Sequence, residues 1–223
     1  MSALLEIKHL SYRYPQAEQG LENINLQLQA GQRLALMGQN GAGKTTLLQL
    51  LVGLLTPQQG EILLEGKVYR EERDFVALRR QVGLVFQDPD DQLFCPSVLE
   101  DMMFGPLNLG DSRDEAQRKA QQMLTKLGLS HLSSRMASQL SGGEKRLVTL
   151  GCVLVMQPKL LLLDEPTNAL DRTARERLIT LLKALPQAML VISHDDDFLQ
   201  QLGVERLALH RGHRGVTTPN VTP

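Results

Sequence analysis

"GQNGAGKTT", Gly38 to Thr46, decides how this chain is read. It matches G-x-x-x-x-G-K-[ST] through Gly38, Gly43, Lys44 and Thr45. The run before it, "RLALM", is short and apolar, as a buried strand is. The run after it, "TTLLQLLVGLL", has the apolar spacing of a helix. Strand, glycine-rich turn and helix in that order make a phosphate cradle. Glycines let the backbone turn its N–H groups inward, and the helix N-terminus adds positive potential. Gly38, Gln39, Asn40, Gly41, Ala42, Gly43, Lys44, Thr45 and Thr46 are therefore expected to bind nucleotide. Lys44 can reach the terminal phosphates, and the Thr45 hydroxyl can ligate Mg2+.

A phosphate loop needs a further acid for its metal, and "LLLLDEP" supplies one. Asp164, at the end of a buried strand, can hold Mg2+ through water. Glu165, one residue on, is placed to polarise the water that attacks the terminal phosphate. A second glycine-rich helix start lies between these motifs, in "LSGGEKR", Leu140 to Arg146. One ATP has little use for two cradles on one chain. A two-fold dimer resolves this: Ser141, Gly142, Gly143 and Glu144 of one subunit would cover the ATP held by the other. The same residues also spell a capping box, with Ser141 at the N-cap and Glu144 three residues on.

The chain has 223 residues, which suits one globular unit, and its 42% hydrophobic residues can build a real core. A net charge of −1 argues against general nucleic-acid binding. No apolar run approaches the roughly 18 residues that span a bilayer. The N-terminal stretch carries Glu6 and Lys8 among its apolar residues and does not read as a signal peptide. Cys95 and Cys152 are expected to be reduced thiols.

"LLEIKHL" and "INLQLQ" read as N-terminal strands, and "VGLVF", "LLLLD" and "AMLVIS" join "RLALM" as strands covered on both faces. "RTARERLITLLKAL" and "DDFLQQL" read as helices. The middle of the chain, as in "DEAQRKAQQMLTKLGL", is helical and shows no convincing strand. The expected fold is α/β: a P-loop NTPase core with a mostly parallel sheet, an N-terminal antiparallel β subdomain and an inserted helical subdomain. Its expected division is core over 1–87 and 158–210, helical subdomain over 88–157, and a loose polar tail over 211–223.

Taken together, "GQNGAGKTT", "LSGGE", "LLLLDEPTNALD" and the histidine of "VISHD" resemble the nucleotide-binding subunit of ABC transporters, over nearly the whole chain and in the family's order. The resemblance implies ATP hydrolysis with Mg2+ in a two-subunit assembly, a homodimer in the simplest case. It implies that Gln87 senses the metal and the attacking water, and that His194 contacts the terminal phosphate. It also implies that Asp171 lies on the loop crossing to the partner's site, and that Tyr14, rather than Tyr12, stacks on adenine.

Within the family, "FQDPDDQLF" (Phe86 to Phe94) and "FGPLNLG" (Phe104 to Gly110) look most like the ATPases of energy-coupling-factor importers, and their cobalt/nickel branch in particular. That likeness implies a short acidic helix in which Asp88, Asp90, Asp91 and Gln92 dock basic coupling helices of an integral membrane partner. The expected place is then the cytoplasmic side of the cell membrane, as a peripheral subunit. The expected role is uptake of a small substrate, cobalt or nickel ion first, with another substrate such as a vitamin as the alternative. A non-transport ATPase of the superfamily is less favoured, because Gln87 and Ser141 leave no room for a long coiled coil and the chain has one cassette. Glu144, Asn168 and Arg172 depart from the family's usual residues. His210 and His213 form an incomplete metal set and are not expected to bind one.

Overall fold

The computed structural model describes residues 3–16, 20–209 and 216–217. His210, His213 and nearly all of the expected polar tail lie outside the described residues.

Strands β1 (Leu5–Tyr12) and β2 (Leu21–Leu28) open the chain, followed by β3 (Arg33–Met37), α1 (Lys44–Leu51), β4 (Gln59–Leu64), β5 (Lys67–Tyr69), α2 (Glu72–Arg79) and β6 (Val82–Val85). Next come α3 (Val98–Asn108), α4 (Arg113–Lys126) and α5 (Gly142–Leu154), with only short 3-10 turns between them. The chain returns through β7 (Leu160–Asp164), α6 (Arg172–Ala184), β8 (Ala188–Ile192), α7 (Asp196–Leu202), β9 (Glu205–Leu209) and β10 (Val216–Thr217). Every described element between β6 and β7 is helical, as the sequence suggested.

One sheet is antiparallel, in the order β2-β1-β4-β5; the other runs β10-β9-β3-β8-β7-β6 and is parallel except for β10. The continuous apolar runs follow from this layering. Alternate residues of a strand point to opposite faces, and here both faces are covered. Leu160 and Leu162 of β7 enter a core shared with the antiparallel sheet and α1. Leu161 and Leu163 enter a second core shared with α3, α4, α5 and α6.

Four carboxyl ends of parallel strands meet at one edge. β3 ends at Met37, before the glycine loop; β6 ends at Val85, before Gln87; β7 ends on Asp164; β8 ends at Ile192, before His194. Such an edge is where open α/β sheets place ligands.

The structure differs from the sequence expectation at the end of α1 and in elements that were not anticipated, namely β4, β5, α2, β9 and β10. The helix over "TTLLQLLVGLL" stops at Leu51, because Gly53 adopts φ +70° and the Phe75 ring lies 2.3 Å from where a Cβ would stand. The hairpin β4–β5 was not anticipated; it turns on Glu65 and Gly66, both with positive φ.

Candidate nucleotide site

The glycine loop leaves β3 and enters α1 through Gly43, whose φ of +92° is costly for any other residue. At Gly38 a Cβ would stand 2.5 Å from the Leu209 carbonyl, so the tight passage excludes a side chain. No side chain caps α1 and no acid stands in its first turn, so its N–H groups and dipole are left for an anion. Lys44 is only 8% exposed, and its ammonium donates to the carbonyls of Gly38 (2.7 Å) and Gln39 (3.1 Å). Burial pushes its pKa down, while Glu165 and Asp164 push it back up. A nearly buried cation held by two neutral carbonyls can exchange them for phosphate oxygens at little cost. Ala42 closes the loop by donating its N–H to Gln39 O.

Asp164 Oδ2 accepts the Thr45 hydroxyl at 2.9 Å. Burial raises the Asp164 pKa, with neighbouring Glu165 adding to the rise and Thr45, Lys44 and Arg146 opposing it. Glu165 has φ +43°, a left-handed conformation that costs a non-glycine residue about 1–3 kcal/mol. Its backbone N–H is tied to Ile192 O at 2.9 Å. The carboxylate meets His194 twice: Oε2 accepts the His194 backbone N–H at 3.3 Å, and Oε1 lies 3.4 Å from its ring Nε2.

These groups share a cleft of about 560 Å3, lined by Tyr14, Asn40, Gly41, Gly43, Lys44, Thr45, Thr46, Gln87, Asp164, Glu165 and His194 among others. Tyr14 stands at its wall, with its hydroxyl 3.5 Å from Thr46 Oγ1 and its ring packed edge-on against Tyr12. Tyr12 does not line this cleft. Ser141, Gly142, Gly143, Glu144 and Asp171 also lie outside it. The capping box forms as expected: the Glu144 carboxylate accepts the Ser141 N–H and hydroxyl, both at 2.8 Å, which lowers its pKa.

The acidic stretch folds as a 3-10 turn, Pro89–Asp91, capped by the Asp88 side chain accepting from Asp90 N–H at 2.9 Å. Its charges are met partly from within: Asp90 pairs with Lys145 at 2.6 Å, whereas Asp91 is exposed with no ion pair among the described residues. Gln92, one of the expected docking residues, lines an apolar groove beside Asp91 and also has partners within its own chain. Its amide donates to Thr149 O and accepts from Phe86 N–H, so it braces the loop from inside. Arg146 was not anticipated. It is buried, and its guanidinium donates to the carbonyls of Phe86 and Gln87, each at 2.6 Å. Asn168 was noted in sequence only as a departure, yet it lines the cleft.

The family model described as ABC transporter matches residues 21–168. The chain belongs to the ABC transporter family. An ABC transporter ATP-binding protein of Brucella suis biovar 1 (strain 1330), provisionally so named, is 52% identical over 86% of this chain and 80% of its own length. The energy-coupling factor transporter ATP-binding protein EcfA of Methanothermobacter thermautotrophicus is 39% identical over 94% of this chain and 68% of its own. Among solved structures, cbiO1 from Clostridium perfringens, part of the ABC transporter complex cbiONQ, superposes with a TM-score of 0.81. It is 34% identical, over 97% of this chain and 88% of that one. A dimeric ATP-binding cassette in a post-hydrolysis state, bound to ADP and Pi, is 26% identical over 95% of this chain and 96% of its own, with a TM-score of 0.82.

The protein is thus an ATP-binding subunit of the ABC transporter family and an ATP hydrolase. Among the described residues no helix is long and apolar enough to cross a membrane.

The raised pKa of Asp164 makes the ABC cassette's own stability pH-dependent. Below the ordinary carboxylate pKa the group is neutral in both folded and unfolded states. As pH rises from that value toward the raised folded-state value, the unfolded chain ionises first and the fold loses stability. Asp164→Asn removes this cost and can still accept the Thr45 hydroxyl. Thermal melts of nucleotide- and metal-free protein should show a higher Tm for Asp164→Asn at neutral pH and no gain in acid. Equal melting at all pH values would show that burial does not tax this carboxylate.

Proposed function

We propose that this chain is the ATPase of an energy-coupling-factor-type importer, in which two copies close over two Mg-ATP molecules. The observation that carries the ATPase part of the reading is the one-edge convergence of the glycine loop, a buried Asp164, and a strained Glu165 hydrogen-bonded to His194. Lys44 and the loop N–H groups would hold the phosphates, and Tyr14 would stack on the base. Thr45, Asp164 and Gln87 would hold Mg2+. A hydroxyl oxygen 2.9 Å from a buried carboxylate oxygen is a hard-oxygen donor set of the kind Mg2+ takes. When bound, Mg2+ would offset charge on the phosphate oxygens. Glu165 would accept a proton from the attacking water, and His194 would face the terminal phosphate.

Ser141 to Glu144 lie outside the cleft of their own chain and are offered to a second one, with Asp171 on the loop beside it. If so, Ser141→Arg disables the site whose Lys44 belongs to the other subunit. Each variant alone should be nearly inactive, as should Lys44→Ala. Random mixing of the two variants leaves one intact composite site in each mixed dimer, so about a quarter of wild-type activity should return if the sites act independently. ATPase assays of the mixture check this, with two different affinity tags on the two variants to confirm mixed dimers. Confirmed mixed dimers that cannot be cross-linked from Ser141 to the other chain's loop would refute the trans assignment.

The membrane partner would seat on the face that carries Asp91. There a groove of about 300 Å3 is lined by apolar side chains including Leu54, Leu84, Phe94, Phe104 and Met156, together with Asp91, Gln92 and Arg79, whose guanidinium is paired with Glu72. Phe94 is 64% exposed and packs edge-on against Phe104. An apolar groove that presents the exposed Asp91 carboxylate suits an amphipathic helix bearing basic residues. The likeness to EcfA and to cbiO1 supports an energy-coupling-factor-type partner. Residues 88–157 would act as the helical subdomain that carries dimer closure to that partner, with core over 1–87 and 158–210. The subunit would thus sit on the cytoplasmic face of the membrane, held there by its complex. Cobalt or nickel ion as the transported substrate rests on the sequence resemblance. Purifying the native complex and assaying its bound transition metals tests it; a complex loaded with a vitamin instead would redirect the assignment.

A further inference from the structure

Arg175 stands in the first turn of α6 with its guanidinium largely sheltered, its side chain 19% exposed. It makes a two-pronged contact with one carboxylate: Nε donates to Asp195 Oδ2 at 2.7 Å and Nη2 to Asp195 Oδ1 at 2.9 Å. Nη2 also reaches Asp197 Oδ2 at 2.9 Å. An isolated exposed ion pair adds little. A sheltered fork of this kind chiefly fixes orientation, because both planes are locked.

What it orients is the turn carrying His194. Asp195 follows that histidine directly. Its carboxylate also caps α7 by accepting Phe198 N–H at 2.9 Å, and its own N–H donates to Ser193 Oγ at 3.1 Å. The Arg175 contact, with the cap and a hydrogen bond from Thr167, holds the Asp195 carboxyl below the usual range despite partial burial. His194, by contrast, has an exposed ring whose neighbour is Glu165. Its position is therefore set by its backbone.

The other end of the path is Asp171. Its side chain caps α6 by accepting Ala174 N–H at 2.8 Å, and its carbonyl accepts Arg175 N–H at 3.0 Å. A chain of contacts thus runs Asp171, Arg175, Asp195, His194, Glu165.

We infer that Arg175 is a positioning residue for ATP hydrolysis: through Asp195 it holds His194 beside Glu165 and ties that turn to the start of α6. The inference rests on the assignment of Glu165 and His194 to hydrolysis. It adds that a shift of the Asp171 segment, where the second subunit is expected, displaces His194 as well.

Steady-state ATPase measurements on the full chain test it, with variants Arg175→Met, Asp195→Asn and His194→Ala, singly and combined. A misplaced catalytic group can cost about 10- to 100-fold in rate, so Arg175→Met should lower kcat by that much and leave the KM for ATP nearly unchanged. Residues acting through one another are non-additive. In a His194→Ala background, Arg175→Met should therefore remove less than about twofold more. Arg175→Lys keeps the charge without the fork and should recover only part of the rate. Unchanged kcat in Arg175→Met overturns the inference, as does the same fold-loss with and without His194. Should Arg175→Met not fold, Asp195→Asn replaces it: the amide oxygen can still cap α7, the ionic fork is gone, and the same split and non-additivity are expected. Wild-type turnover in His194→Ala would remove the histidine's role and the inference with it. Slow His194→Ala beside fast Arg175→Met removes the inference alone.

Discussion

Glu165→Gln should lower ATP turnover about 10²- to 10⁴-fold while leaving ATP binding intact. The amide has nearly the shape of the carboxylate and its oxygen can still accept the His194 N–H, now at 3.3 Å from Oε2. The strained backbone, anchored to Ile192 O, is untouched. What disappears is a basic oxygen able to take a proton from water. Strain of about 1–3 kcal/mol at a residue with no steric need for it suggests that the fold spends stability to aim this side chain. With binding kept and turnover lost, ATP should hold the closed dimer together. Nucleotide binding, turnover and gel filtration on one preparation check all three parts. Wild-type turnover would take the base role from Glu165, and loss of ATP binding would make it a binding residue.

Asp91→Lys should abolish assembly with the membrane partner while ATP binding by the subunit stays near normal. Like charges brought face to face at an interface cost several kcal/mol, a loss of roughly 10²- to 10³-fold or more in affinity. Asp91 is the cleaner position for this reversal. Asp90 already holds Lys145 at 2.6 Å, so a lysine there would also repel a residue of its own chain. Asp91→Asn removes attraction without adding repulsion and should weaken assembly less. Neither position lines the cleft that holds Lys44 and Glu165, although both line an adjoining hollow that reaches Thr45, Gln87 and Asp164. The measurement is co-purification from detergent together with nucleotide binding on the same protein. A lysine variant that assembles and transports would reduce the acidic stretch to a solvated turn; one that loses ATP binding would move it into the nucleotide site.

Features that rest on neighbours in the chain were legible before any fold was known. The glycine loop, the acid pair after "LLLL" and the capping box at Ser141 each need only a few consecutive residues, because the turn and the hydrogen bonds that define them are local. The parallel strands were legible because burial on both faces leaves unbroken apolar runs such as Leu160 to Leu163. The weaker elements were not. β5 has three residues, and its turn uses Glu65 at φ +51° in place of the asparagine or glycine that usually marks such a position. α2 is capped by the Asp74 carboxylate, which accepts the backbone N–H groups of Arg70 and Glu71, a weak signal among charged residues.

The sequence by itself determined the fold class, the glycine loop between β3 and α1, and the acid pair Asp164 and Glu165 at the end of β7. Only the tertiary structure decided which charges answer one another. It brings Arg146 to the carbonyls of Phe86 and Gln87 across about 60 residues, Lys145 to Asp90 across 55, and Arg175 to Asp195 across 20. It also gave the Gln92 amide partners within its own chain and left Asp91 exposed without an ion pair among the described residues. The reason is physical: a charge is satisfied by whatever group lies within about 3 Å after burial, and that neighbour is chosen by packing of whole elements, which no local pattern records.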